Sequence, residues 1–98
     1  MIRVSVFYPK SEGTTFDMDY YKSSHRQLCF DVFPDLKGMD IEQGIDGPYI
    51  AMGHLYFENM DHLQSNMGNP EAAKAQADVV NYTNSVPTIQ ISQVINAD

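Results

Sequence analysis

The 98-residue sequence has no tryptophan and only one cysteine, Cys29. A lone cysteine cannot form an internal disulfide, so no covalent framework replaces a packed core. Basic side chains are scarce as well: six Lys and Arg stand against 13 Asp and Glu, giving a formal charge of -7. Arg3, Lys10, Lys22, Arg26, Lys37 and Lys74 are scattered and form no stripe. Binding to a phosphate backbone needs a cationic footprint, so no nucleic-acid partner is expected. No apolar run approaches the ~20 residues of a membrane span, and no basic-plus-apolar start resembles a secretion signal. The expectation is a reduced, cytoplasmic protein with no membrane partner. The sequon Asn81-Tyr82-Thr83 then reads as a chance match.

Chemical motifs are missing too. There is no HExxH, no Cys/His cluster with metal spacing, no glycine-rich phosphate loop and no GxSxG elbow. Neither a metal nor a cofactor is therefore expected. What remains is an apolar-rich chain, 43% hydrophobic with six Tyr and five Phe, long enough for one domain over residues 1–98. That apolar share also permits a large interface with a second copy.

The most informative stretch is FDMDYYKSSHRQLCFDVFP, from Phe16 to Pro34. Asp17 suits an N-cap, with Phe16 and Tyr21 placed as a hydrophobic staple, and Pro34 enforces a stop. Tyr21, His25, Leu28, Cys29 and Val32 share one face of a helix, while Lys22, Arg26 and Gln27 suit solvent. His25 thus points inward, either as a satisfied structural histidine or as part of a ligand-pocket wall. Cys29, one turn away, reads more readily as inert packing than as an activated thiolate.

Around this helix the pattern gives β-α-β-β-α-β. Strands are expected over 1–8, 36–44, 49–57 and 86–95, with the turn Asp46-Gly47-Pro48 joining the middle two. The strand Tyr49–Phe57 is apolar on both sides, with Ala51, Gly53, Leu55 and Phe57 on one and Ile50, Met52, His54 and Tyr56 on the other. Small residues at 51 and 53 admit a close helix, and the reverse side needs its own cover. Asn59 caps a short helix to Met67 with Met60, Leu63 and Met67 inward, and Asn69-Pro70 starts an alanine-rich segment fraying near Val80–Tyr82. The fold class is α+β and ferredoxin-like: a four-stranded antiparallel sheet with helices on one face. Two such sheets, packed through Ile50, Met52 and Tyr56, would form a homodimeric α/β barrel.

Candidate chemistry gathers on His25 and Asp78, with Tyr21, His54, Tyr56, Tyr82 and Asn84 as candidate binding groups. An aspartate bonded to one imidazole nitrogen fixes the tautomer and favours the charged ring, and histidine transfers protons near neutrality. Asp78 could equally cap or bridge structurally, and His54 could belong to a pocket or to an ordinary interface. His62 reads as surface.

The pieces VSVFYP at 4–9, FDMDYYKSSH at 16–25, YIAMGHLYF at 49–57 and ADVVNYTNSVPTIQISQV at 77–94 resemble the EthD family. These are dimeric α/β-barrel proteins named for ethyl tert-butyl ether degradation. The resemblance implies ferredoxin-like monomers that dimerise through their sheets. It puts His25 and Asp78 on the family's pocket or active-site positions, Tyr20 and Tyr21 on its tyrosine pair, and Thr83 and Asn84 on its TN pair. Two departures stand out. The chain has His25-Arg26-Gln27-Leu28 where His-x-Pro-Leu is frequent, and Tyr82 where a phenylalanine is frequent. Related barrels include cofactor-free monooxygenases, lactone isomerases and dehydratases, and fold alone does not choose among them. The implied function is a cofactor-independent oxidoreductase or proton-transfer enzyme for a small hydrophobic molecule bound between helices and sheet. The alternative is a non-catalytic binding or accessory protein for such a metabolite, in an oxidative degradation or biosynthetic pathway. A third reading leaves His25 purely structural.

Overall fold

The computed structural model describes residues 1–97. Its sheet contains β1 (Ile2–Pro9), β2 (Gly38–Gln43), β3 (Tyr49–Phe57) and β4 (Thr88–Gln93), in the order β2-β3-β1-β4 with every pairing antiparallel. Helix α1 runs from Met18 to Val32, α2 spans Met60–Met67, and α3 spans Ala72–Ala77 and tightens into a 3-10 turn over Asp78–Asn81. This is the expected ferredoxin-like α+β architecture.

Register fixes the two faces. Val4 lies opposite Leu55 and Ile91, and Val6 opposite Gly53 and Ile89. Ile2, Val4, Tyr8, Met39, Ala51, Leu55 and Phe57 on this face are buried in the core beneath the helices. The helical layer does not extend over β4, so Ile89 and Ile91 remain 65% and 53% exposed although their face is the core face. Met60 and Met67 are also exposed, contrary to the expectation that they turn inward; only Leu63 of that trio is buried. The stripe is apolar, but at the two ends of α2 it stays 40% exposed at Met60 and 45% at Met67. The alanines of α3 pack against the last turns of α1.

Local signals at α1 hold. Asp17 accepts the Tyr20 N–H at 3.1 Å, a cap typically contributing ~1 kcal/mol. The Phe16 and Tyr21 rings meet edge to face at 5.1 Å, completing the staple. The helix is not uniform, however. Between α-helical Met18–Tyr20 and Arg26–Val32, residues Tyr21–His25 form a π-helical turn, with the Arg26 N–H reaching back five residues to the Tyr21 carbonyl. The widened turn leaves the Asp19 carbonyl to the Ser23 hydroxyl. Such turns recur at functional sites. This one carries both inward side chains, Tyr21 and His25.

Candidate functional site

The site begins with a clamp between distant segments. The Asp17 N–H donates to the Tyr82 carbonyl at 2.7 Å, and the Thr83 hydroxyl donates to the Thr15 carbonyl at 2.7 Å. Asn84 accepts the Thr15 N–H at 2.9 Å and donates to the Gly13 carbonyl at 3.0 Å. The Thr83-Asn84 pair therefore stitches the chain after α3 to the loop before α1. Asn84 is exposed and spends both ends of its amide on that stitch, away from His25. The stitch sets Asp78 and Tyr82 beside the π turn.

His25 Nδ1 lies 2.9 Å from Asp78 Oδ2. The other carboxylate oxygen accepts from the Tyr20 hydroxyl at 2.7 Å and from Asn81 Nδ2 at 2.9 Å. Burial pushes the Asp78 carboxyl up, but the bonds from Asn81, Tyr20 and His25 outweigh it and hold it below the ordinary carboxylate value. Burial pulls the His25 imidazole below its ordinary value, an effect that the bond to Asp78 and its charge only partly offset. The two directions agree on one protonation state: an ionised Asp78 beside a neutral His25. A carboxylate only accepts, so Nδ1 carries the ring proton and Nε2 carries the lone pair.

Nε2 faces the interior. Its near neighbours are the Tyr82 hydroxyl at 3.5 Å and Cys29 Sγ at 3.6 Å, both longer than a strong bond to nitrogen. Burial pushes the Cys29 thiol up to about 12, so it stays protonated and inert, as expected. The imidazole stacks on Tyr21 at 5.3 Å and tilts against Tyr82 at 4.7 Å, and the residue is only 5% exposed. Tyr82 and Tyr8 share a 2.6 Å hydroxyl–hydroxyl bond. Phe16, Tyr8, Tyr21, Tyr82 and Tyr20 complete an aromatic cage whose neighbouring rings lie 4.9–6.1 Å apart. Gly53 makes room for it: a β-carbon there would fall 2.1 Å from the Tyr21 hydroxyl.

Two open depressions flank this cage. One of about 580 Å³ is lined by Tyr20, Ser23, Ser24, Gln27, Leu28, Asp31 and Asp78. The other, about 430 Å³, lies between the start of α1 and residues 80–84, with Tyr82 in its wall. No group of three or more His, Cys, Asp or Glu side chains is placed to hold a metal among the described residues.

His25, Asp78, Tyr21 and Tyr82 therefore come together. His54 and Tyr56 do not join them, because alternation along β3 sends both to the opposite face from Gly53. There His54 Nε2 donates to Glu42 at 2.8 Å, Nδ1 lies 2.8 Å from the Ser5 hydroxyl, and Tyr56 donates to Asp40 at 3.0 Å. Ser5 and His54 are 3% and 8% exposed, so this network cross-links three strands and partly covers a face expected to be bare and apolar. The candidate site read from the sequence left out Tyr8 and Asn81, and also Tyr20, although the family's tyrosine pair falls on it. Asn81 had a signal, standing three residues after Asp78 at the spacing of a tight turn. Tyr8 continues the inward alternation of β1.

A family model described as the EthD domain matches residues 13–85. No curated protein matches. Among solved structures, an EthD-like protein from Ralstonia eutropha is 28% identical, with TM-score 0.87 over 99% of this chain and 94% of that one. An EthD family protein from Bacillus halodurans is 19% identical, with TM-score 0.76 over 97% and 99%. SnoaB, a cofactor-independent oxygenase from Streptomyces nogalater, shares the fold at 9% identity, with TM-score 0.67 over 98% and 93%.

Proposed function

The chain belongs to the EthD family, and on that premise we propose that it is a cofactor-independent proton-transfer enzyme or oxidoreductase for a small hydrophobic organic molecule. The observation carrying this reading is the state of His25. Its Nδ1 is committed to an ionised carboxylate, and its Nε2 is a buried lone pair without a full-strength partner. A base in this arrangement takes an acidic hydrogen at Nε2, and Asp78 stabilises the imidazolium that forms. The electron pair stays on the substrate; where dioxygen is the co-reactant, it accepts those electrons. The aromatic cage supplies apolar walls, and the Tyr82 and Tyr8 hydroxyls can meet an oxygen of the ligand. The cofactor-independent oxygenase sharing this fold makes the oxidative branch reasonable by analogy alone.

The test is exchange of the acidic hydrogen of β-diketone and hydroxylated aromatic probes into deuterium oxide, with oxygen uptake followed in parallel. His25→Gln should lower the rate ~100- to 10,000-fold. An unchanged rate would remove His25 from the chemistry. The enclosure of His25 favours a second reading, a binding or accessory role. A ligand would then occupy one of the outer depressions, and His25→Gln would change affinity without any turnover to lose.

We also infer a homodimer through the open sheet face. Phe7, Ile50 and Met52 are incompletely buried there, to one side of the His54 link, and so is Tyr56 on its other side. Light scattering at micromolar concentration should give twice the chain mass of 11.1 kDa, and a stable monomer would exclude the pairing.

A further inference from the structure

We propose that Tyr8 is a positioning residue of this site: its hydroxyl draws the Tyr82 O–H away from His25 Nε2 and so keeps that nitrogen free to take a proton. The inference rests on reading His25 as a base, but it assigns a task to a residue which that reading leaves idle. Tyr8 stands near the end of β1, opposite Ala51 and almost fully buried, with its ring against Phe16, Tyr21 and Tyr82. Its position is therefore fixed by both the sheet and the cage.

The Tyr82 hydroxyl has one proton and two acceptors near it. Tyr8 Oη is 2.6 Å away and His25 Nε2 is 3.5 Å away. Either hydroxyl can donate in the 2.6 Å bond, and Tyr82 is assigned as its donor because a hydrogen bond weakens steeply beyond about 3.2 Å, which makes Nε2 the poorer-placed acceptor. Cys29 Sγ, at 3.6 Å, is the remaining hydrogen-bond partner of Nε2, and a thiol is a weak donor. The His25 lone pair is then met only by that weak thiol bond. A ligand bearing an acidic hydrogen would complete it. Removing the Tyr8 hydroxyl alone would release the Tyr82 O–H, which needs only a small turn about its C–O bond to cap Nε2 and occupy the base.

The experiment is nuclear magnetic resonance on the full-length, nitrogen-labelled protein, following the His25 ring nitrogens and their titration. Tyr8→Phe should move the Nε2 resonance upfield and lower the His25 midpoint by about one pH unit, because the neutral ring gains a hydrogen bond. Tyr82→Phe and the Tyr8→Phe/Tyr82→Phe pair should both leave Nε2 where the parent has it, since neither retains a proton that can cap it. Rescue by the second substitution is an outcome that a merely structural Tyr8 would not produce. If Tyr8→Phe leaves Nε2 in place, or the pair shifts as far as the single variant, the proposal fails. A downfield move in Tyr82→Phe alone would show that Tyr82 already caps the base and would overturn it even if Tyr8→Phe did not fold. None of these signals needs a substrate, so their failure is separate from failure of the His25→Gln rate test.

Discussion

Gly53 offers the sharpest test of how the fold makes its cage. A β-carbon at this position would stand 2.1 Å from the Tyr21 hydroxyl oxygen, 3.3 Å from its Cζ and 3.5 Å from the Met39 terminal methyl. The first distance is more than an ångström inside ordinary contact, so Gly53→Ala requires Tyr21 to move. That ring has little freedom. Phe16, Tyr8, Tyr82 and His25 stand at centroid distances of 5.1, 5.5, 4.9 and 5.3 Å around it, and its backbone lies in the π turn. Overpacking of a well-filled interior typically costs 1–3 kcal/mol. Replacing a strand glycine returns about 0.4–1 kcal/mol by reducing the freedom of the unfolded chain. The net expectation is a loss of about 1–2 kcal/mol, or a Tm lower by roughly 10 °C in a domain of this size.

The control identifies the cause. Tyr21→Phe removes the offending oxygen, at a cost of about 1 kcal/mol for its own hydrogen bond. In that background Gly53→Ala should cost close to nothing, giving a coupling of about 1–2 kcal/mol in a double-mutant cycle measured by urea unfolding. If the two changes add, the clash is absent and Gly53 does not shape the cage. Gly53→Ala alone should also disturb the His25 resonances, because the displaced ring is the one stacked on the imidazole.

Acid should weaken the fold in two stages, with opposite-charge groups acting in the same direction. His25 has a lowered native value, so the unfolded chain binds its proton first; this contribution is complete above pH 6.5 and declines as pH falls below it. Asp78 is also lowered, so its contribution declines only as pH falls below 3.8. The urea midpoint of the parent should therefore drop as pH falls from about 7 to about 5, and His25→Gln should flatten that drop; an equal slope in both would place the titration elsewhere. Asn84→Ala removes two loop bonds and should cost about 1–2 kcal/mol while leaving the His25 titration in place. A shifted titration would instead return Asn84 to the site.

Much of the frame was legible because its causes are local. The Asp17 cap, the staple and the bounds of β3 follow from neighbouring residues and from strict alternation. The π turn was not legible, since Tyr21 and His25 are four apart and face inward whether the intervening turn is α or π. His54 and Tyr56 teach a different lesson. Their parity on β3 already set them opposite Ala51 and Gly53, and grouping polar residues by type set that geometry aside. Periodicity found the apolar stripe of α2 and the inward face of β4, but it carries no information about whether a neighbour lies across from Met60 or Ile89. Tyr8 and Tyr20 meet their site partners, Tyr82 and Asp78, across segments far apart in sequence, which no local pattern encodes, whereas Asn81 stands three residues from Asp78.

How the polar groups of the His25–Asp78 pair are satisfied bears on whether the histidine is structural or a base. Asp78 accepts three donors, so the carboxylate side of the pair is complete, and a purely structural imidazole would finish its other nitrogen the same way. Nε2 instead has only a long contact to the Tyr82 hydroxyl at 3.5 Å and the weak thiol bond of Cys29 at 3.6 Å. Leaving a buried acceptor wholly unpaired costs about 1–3 kcal/mol, and a weak partner recovers only part of that. Stability alone would remove that cost with an apolar ring, at the price of one of Asp78's donors. Keeping the imidazole there is intelligible if the missing partner arrives from outside, which is what the β-diketone exchange and the Nε2 resonance each examine from a different side.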